Sequence, residues 1–345
     1  MSALAYRVEM GTLASRVFTG IAVLGCVAMA ALPMIAGRSL LTKLAELMIL
    51  ITLGQLWNLL AGYSGIFSFG QQAFVGIGAY ATFAAADIIG LNLWVSVALS
   101  GVVALLIAFP TAFLVFRLRG GYFAVGTWVV AETYRLLVKS NTTLNPRGTP
   151  QPLRALSELG QSRFAIVYWL ALAVAVGTVV TTLVLLRSRT GLAFSAIRDD
   201  EETAAASGID VRRVKVTVYL IAAALTGLIG AVYLLNNVSI DPDSYFSIGL
   251  TARMVIVVVI GGLGTVEGPI LGALVYFLLD QNLRGLGSWW FITLGLFLIV
   301  VMLVIPRGVW GTIQAKTGFS LFPVQRRLVM SGETSQPTHA GRRTE

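Results

Sequence analysis

The chain has one cysteine, one histidine and few charges, and each shortage removes a class of function. Cys26 sits in the first apolar run, so no disulfide can form within the chain, and a thiol in lipid is inert. His339, the only histidine, lies in a polar tail, which excludes histidine-based triads and metal clusters. No Gly-Lys dipeptide occurs, so there is no phosphate loop of the GxxxxGK(S/T) type and no ATP hydrolysis by that route. Charged residues make up only 12% of the 345 positions, against 57% hydrophobic ones and a mean hydropathy of +0.83. This composition belongs to a polytopic membrane protein. The net charge of +9 is spread over loops and tails, so it reports orientation in a membrane rather than nucleic-acid binding.

Apolar runs long enough for spans recur along the chain and predict an all-α membrane protein with about ten transmembrane helices, some short or broken. Their expected positions are 17–36, 42–61, 72–89, 93–116, 122–138, 164–186, 216–236, 251–262, 267–282 and 289–305. The first lacks a small-residue cleavage site followed by a soluble domain and reads as a retained span. Residues 1–16 form a cytoplasmic N-terminus, 17–311 a single transmembrane domain, and 312–345 a cytoplasmic tail that is largely disordered, above all after Ser331. Basic residues such as Arg117, Arg119, Arg187, Arg212, Arg213 and Arg307 outnumber those of the opposite side, including Arg147 and Arg284, by about two to one. Both termini are therefore expected in the cytoplasm.

Two segments stand out. In 58–80 (NLLAGYSGIFSFGQQAFVGIGAY), glycines interleave with Ser64, Ser68, Gln71 and Gln72. Such a run is ill suited to face lipid and must face protein or a water-filled cavity, where a broken helix can offer backbone groups to a zwitterionic or amide solute. Close helix packing is the other reading of its glycines. The second segment, 187–215, is a charged island between two long apolar runs, and Arg198, Asp199, Asp200, Glu201 and Glu202 forbid a spanning role. The expectation is one helix over 192–207, closed at Gly208 by a left-handed cap. Its small apolar face of Leu192, Ala193, Ala196, Ile197, Ala204 and Ala205 suits docking on another protein, although a solvated loop helix fits the same letters.

Gly261, Gly262, Gly264 and Gly268 mimic a phosphate loop but have the wrong spacing for a dinucleotide fingerprint, and read as a tight turn or broken helix between two short spans. Glu132 and Arg135 stand three apart and are placed to pair on one helical face. Arg253 and Asp280, near span ends, are expected to snorkel towards water.

These segments resemble the inner-membrane permease subunits of bacterial ABC importers for branched-chain amino acids, a family with urea and amide relatives. The matching stretches are NLLAGYSGIFSFGQQAFVGIGAY, RLRGGYFAVGTWVVAETYRLL, RTGLAFSAIRDDEETAAASGI, VKVTVYLIAAALTGLIGAVY, IGGLGTVEGPILGA and PRGVWG, in order over about residues 40 to 311. The resemblance implies that the island is a coupling helix on a partner ATPase, carried by Gly191, Ala196, Ile197, Arg198, Asp199, Glu201, Ala204 and Gly208, with Leu192, Ala193 and Asp200 between them. It implies a translocation path at Asn58, Gly62, Gly65, Gly70 and Tyr122, to which Ser64, Ser68, Gln71, Gln72, Thr127 and Glu132 are added. It also implies a second permease subunit, two ATPase subunits carrying ATP and Mg, and a periplasmic solute-binding protein; this chain itself holds no cofactor or metal. Where such permeases continue with a glycine-rich outer loop, this chain has NTTLNPRGTPQPL, stiffened by Pro146, Pro150 and Pro152. The expected function is inward transport of branched-chain or related amino acids by alternating access. The alternative is a urea or short-chain amide permease. A membrane enzyme lacks the acid and base constellation it would need, and a passive channel leaves the island unexplained.

Overall fold

A computed structural model describes residues 6–9, 13–145, 148–283, 289–317 and 327–330. Arg147, Arg284, Pro146 and the tail from Ser331, expected to be disordered, lie outside the described residues. The helices are α1 (Leu13–Ala31), α2 (Arg38–Asn58), α3 (Gln71–Phe83), α4 (Leu93–Val115), α5 (Gly121–Ser140), α6 (Arg163–Arg187), α7 (Arg189–Asp199), α8 (Glu201–Ala206), α9 (Val211–Asn237), α10 (Pro242–Tyr245), α11 (Ile248–Gly261), α12 (Gly268–Leu283), α13 (Trp289–Val304) and α14 (Gly308–Thr317). Strand β1 (Tyr6–Glu9) pairs antiparallel with β4 (Arg327–Met330), and β2 (Gln151–Pro152) with β3 (Ser239–Ile240).

Helices occur at all ten predicted positions. By length and apolarity, however, only six described stretches suffice to cross a membrane: Arg38–Tyr63, Leu93–Val115, Leu159–Arg187, Val211–Asn237, Pro242–Gly261 and Ile292–Lys316. The shortfall has local causes. Helix α12 has 16 residues, and α5 carries Glu132, Arg135 and Lys139 within its 20. Beyond residue 312, the described residues comprise the end of α14, which runs to Thr317, and β4.

Helix α9 is the centre of the bundle, buried through Val218, Ala222, Ala223, Ile229, Ala231 and Leu234. Its crossings with α3 and α4 are brought close by glycines. A Cβ at Gly78 would lie 2.0 Å from the Gly227 carbonyl oxygen, one at Gly230 2.3 Å from the Val75 carbonyl oxygen, and one at Gly227 2.3 Å from Ala104 Cβ. Backbones this close gain dispersion contacts where lipid supplies no hydrophobic drive between helices. The outer faces carry exposed aliphatics such as Leu106, Val184 and Leu303, as a lipid-facing surface requires.

Contacts define two ends. At one, α7 and α8, the start of α9 and the α11–α12 turn lie near the end of α2, with Arg212 stacked over Phe113 at the end of α4. At the other, the Asp87 carboxylate accepts the amide hydrogens of Arg154 and Ala155, Lys43 Nζ donates to Gln281 Oε1, and Arg135 and Lys139 meet Asp243.

Candidate functional site: the junction of the broken helix and the island

Helix α2 does not end at Asn58 but loosens into a π-helical turn, Leu59–Tyr63. Ser64 Oγ donates to the Leu59 carbonyl and the Ile66 amide to the Leu60 carbonyl, satisfying backbone groups the wider turn frees. Single π-turns of this kind cluster at functional positions. The buried Asn58 amide spans the gap to the α11–α12 turn. Its Oδ1 accepts from the Gly264 amide at 2.8 Å, and its Nδ2 donates to the Thr265 carbonyl at 2.8 Å. Thr265 Oγ1 in turn donates to the Gly262 carbonyl and accepts from the Gly268 amide.

Gly62 fits there because it has no side chain. A Cβ would stand 2.2 Å from Asn58 Oδ1 and 2.6 Å from the Gly264 nitrogen. Gly262 (φ +124°) and Gly264 (φ +76°) hold conformations that L side chains rarely adopt, and a Cβ on Gly261 or Gly268 would strike backbone across the turn. The third partner is the island. Arg198 Nη1 donates to the Gly62 carbonyl oxygen at 3.1 Å, and Gly65 (φ +67°) has room for a Cβ only 3.5 Å from Arg198 Cα. Residues expected to serve three separate purposes, Asn58 and Gly62, Gly264, and Arg198, thus meet at one point.

The polar run at and beyond the π-turn, expected to line a solute path, is packed inside this chain. Ser64, Ser68, Gln71 and Gln72 are buried within this chain. Trp57 Nε1 donates to the Ser68 carbonyl, Ser68 Oγ accepts from the Gly70 amide, Gln71 Nε2 donates to Thr226 Oγ1, and Thr251 Oγ1 donates to Gln72 Oε1. Gln71 Oε1 and Gln72 Nε2, the other halves of these amides, are buried without a hydrogen-bond partner in this chain. Gly70 packs on the Thr127 carbonyl, and Thr127 Oγ1 accepts from the Phe69 amide. What the segment exposes is apolar, Phe67 and Phe69, with Tyr122 outermost on α5 at 81% exposure. Sequence reasoning singled out Thr226, Thr251 and Thr265 nowhere: the first two meet glutamines far along the chain, and the third ties its own turn through Gly262 and Gly268.

The island is two helices, not one. Asp200 adopts extended backbone (φ −156°, ψ 113°), ends α7, and caps α8 by accepting the amide hydrogens of Glu202 and Thr203 on Oδ1. Those hydrogen bonds, chiefly to Thr203, hold the Asp200 carboxyl below its ordinary range. The depressed value means that the cap is intact above the usual carboxylate pKa and is lost only as pH falls through the lowered one. The expected docking face is also divided. Ile197 and Ala204 are buried in this chain together with Gly191 and Phe194, whereas Leu192 is 58% exposed and Ala193 and Ala196 are half-buried. Gly191 is pressed against the Leu186 carbonyl, where a Cβ would lie at 2.1 Å. Asp199 accepts from Arg198, Glu201 pairs with Lys215 at 2.6 Å, and Gly208 closes α8 at φ +86°.

At the opposite end Glu132 and Arg135 pair on one face of α5, as their spacing predicts, and Asp243 of α10 joins them by accepting from Arg135 and Lys139. Asp280 is buried rather than snorkelling. Among the described residues no group of three or more His, Cys, Asp or Glu could hold a metal ion.

The family model described as the permease component of branched-chain amino acid transport systems matches residues 39–306. The chain belongs to that family. This permease component is 29% identical over 303 residues to the high-affinity branched-chain amino acid transport system permease protein LivM of Escherichia coli, covering 80% of this chain and 71% of that one. It is 25% identical over 259 residues to the probable LivM of Methanocaldococcus jannaschii, covering 64% and 74%. A shorter match, 25% over 191 residues, reaches the fructose import permease protein FrcC of Rhizobium meliloti, covering 52% and 53%. No solved structure matches the permease component at the same level. The matched span takes in the π-turn, the island and the α11–α12 turn.

Proposed function

We propose that this chain is the membrane-embedded subunit of an ABC importer that moves branched-chain or related amino acids inward by alternating access. The observation that carries the reading is the meeting of the island with the broken helix through Arg198 and Gly62, inside a span matched by the branched-chain permease family. In this reading a second permease subunit stands beside it, two ATPase subunits carry ATP and Mg beneath α7 and α8, and a periplasmic binding protein delivers solute at the end holding Arg135 and Asp243. The chain has no ATPase site of its own and resides in the bacterial inner membrane. We read the helices as about ten crossings, some short or broken, of which six stretches are long and apolar enough by themselves. The pairing of β1 with β4 supports termini on one side, the cytoplasmic one. Purified complex in liposomes, given a binding protein and ATP, is expected to accumulate labelled leucine and not labelled urea. Urea uptake, or leucine flux that needs no ATP, would overturn the assignment.

In this reading the ATPase docks on the part of the island's apolar face that stays accessible, Leu192, Ala193, Ala196 and Ala205, while Ala204 is buried in this chain. Ala196→Glu is expected to lower ATP-driven uptake by at least about tenfold, because a docked carboxylate is desolvated without a partner. Normal uptake by that variant in an assembled complex would show that the ATPase docks elsewhere.

A further inference from the structure

The geometry points to Arg198 as an inward arm of the island: a positioning residue that carries displacement of α7 directly to the π-turn of α2 and to the α11–α12 turn, rather than a contact with the ATPase. This rests on the transport reading above and adds the route by which the motion enters the bundle. The guanidinium is held from two sides, by the Asp199 carboxylate through Nε and Nη2 and by the Gly62 carbonyl through Nη1. Its Nη1 also lies against Gly264, where a Cβ would come within 3.5 Å. Asn58, one helical turn before Gly62, is hydrogen-bonded through its amide to the Gly264 amide and the Thr265 carbonyl. One planar side chain therefore bonds the α2 break and stands beside the α11–α12 turn at the island end, so that in the proposal a shift of α7 is passed to Gly62 through this hydrogen bond. Coupling between sites requires a second, discrete arrangement of such a contact, which the proposal assigns to the ATP-bound complex. Arginine suits the role because its fixed fork addresses an anion and a carbonyl at once, which a lysine ammonium on a flexible stem does not.

The test uses the full complex carrying Cys26→Ser and Phe67→Cys, a single reporter thiol at a 49% exposed position just beyond the π-turn. The rate of thiol modification is measured with and without ATP bound to the partner subunits. With Arg198 present, ATP is expected to change the rate by about fivefold or more. Arg198→Lys is expected to abolish that change while the ATPase subunits still co-purify, and to lower leucine moved per ATP hydrolysed by about tenfold. Asn58→Asp, which keeps the acceptor for Gly264 and loses the donor to Thr265, is expected to act in the same direction, and the double variant to be no worse than the single ones. The control is Arg213→Ala, whose arginine makes only an exposed pair with Asp210. An undiminished ATP response in Arg198→Lys overturns the proposal. Loss of the ATPase subunits from Arg198→Lys also overturns it, since Arg198 would then be a docking contact. Because the thiol response needs no solute, absence of leucine uptake by the parent complex would fall on the substrate assignment alone.

Discussion

Gly62→Ala is expected to abolish transport and to lower the stability of the permease in detergent by about 3 kcal/mol or more. The added methyl would stand 2.2 Å from Asn58 Oδ1 and 2.6 Å from the Gly264 nitrogen, and neither is the free end of a flexible side chain. To make room, the Asn58 amide must leave the α11–α12 turn, which strands the Gly264 amide and the Thr265 carbonyl, or the turn must move away from α2. A buried backbone group left without a partner costs about 1–3 kcal/mol on its own. The matching control is Gly295→Ala on α13, where a Cβ meets nothing within 4 Å. That change is expected to be neutral or to stabilise slightly, because alanine is the better helix former. Thermal melts and leucine uptake on both variants decide the matter. A Gly62→Ala protein as stable and active as Gly295→Ala would mean that the π-turn does not pack on the α11–α12 turn.

The second large effect is expected at the crossing of α3 and α9. Gly78→Val brings a branched side chain to a place where even its first carbon would lie 2.0 Å from the Gly227 carbonyl oxygen. The helices must part, and with them go the contacts of Phe74 and Tyr219, edge to face at 5.6 Å. Overpacking of this kind costs about 1–3 kcal/mol where side chains can shift, and more where the obstacle is backbone. The expected outcome is failure to accumulate as a folded protein in the membrane. Gly177→Val on α6, with open space around it, is expected to accumulate. Equal accumulation of the two would refute the close crossing.

The ten helix positions were readable from the sequence because long apolar runs have few alternatives in a membrane protein. The island and the glycine turn were readable too, the first by charge that lipid would reject and the second by residues suited to left-handed backbone. What was not readable depends on neighbours. Gln71 and Gln72 look the same beside a water-filled path as beside Thr226 and Thr251, so their burial within the chain has no local signature. The break of the island at Asp200 was masked by helix-favouring residues on both sides, although an aspartate two and three residues ahead of Glu202 and Thr203 is a cap signal in its own right. The π-turn left no mark beyond Gly62, and the hydrogen bond from Arg198 to its carbonyl joins positions 136 residues apart.

The glycine seams have a mechanical meaning. Most helix contacts in proteins are cushioned by side chains that can change rotamer and so absorb small displacements. Where Gly78 meets Gly227, Gly230 meets Val75 and Gly62 meets Gly264, main chain rests on main chain and there is no cushion to compress. Such joints are stiff against approach yet free to slide, like gear teeth without rubber between them. Helices joined in this way are expected to move together, because no side chain stands between them to take up a small push.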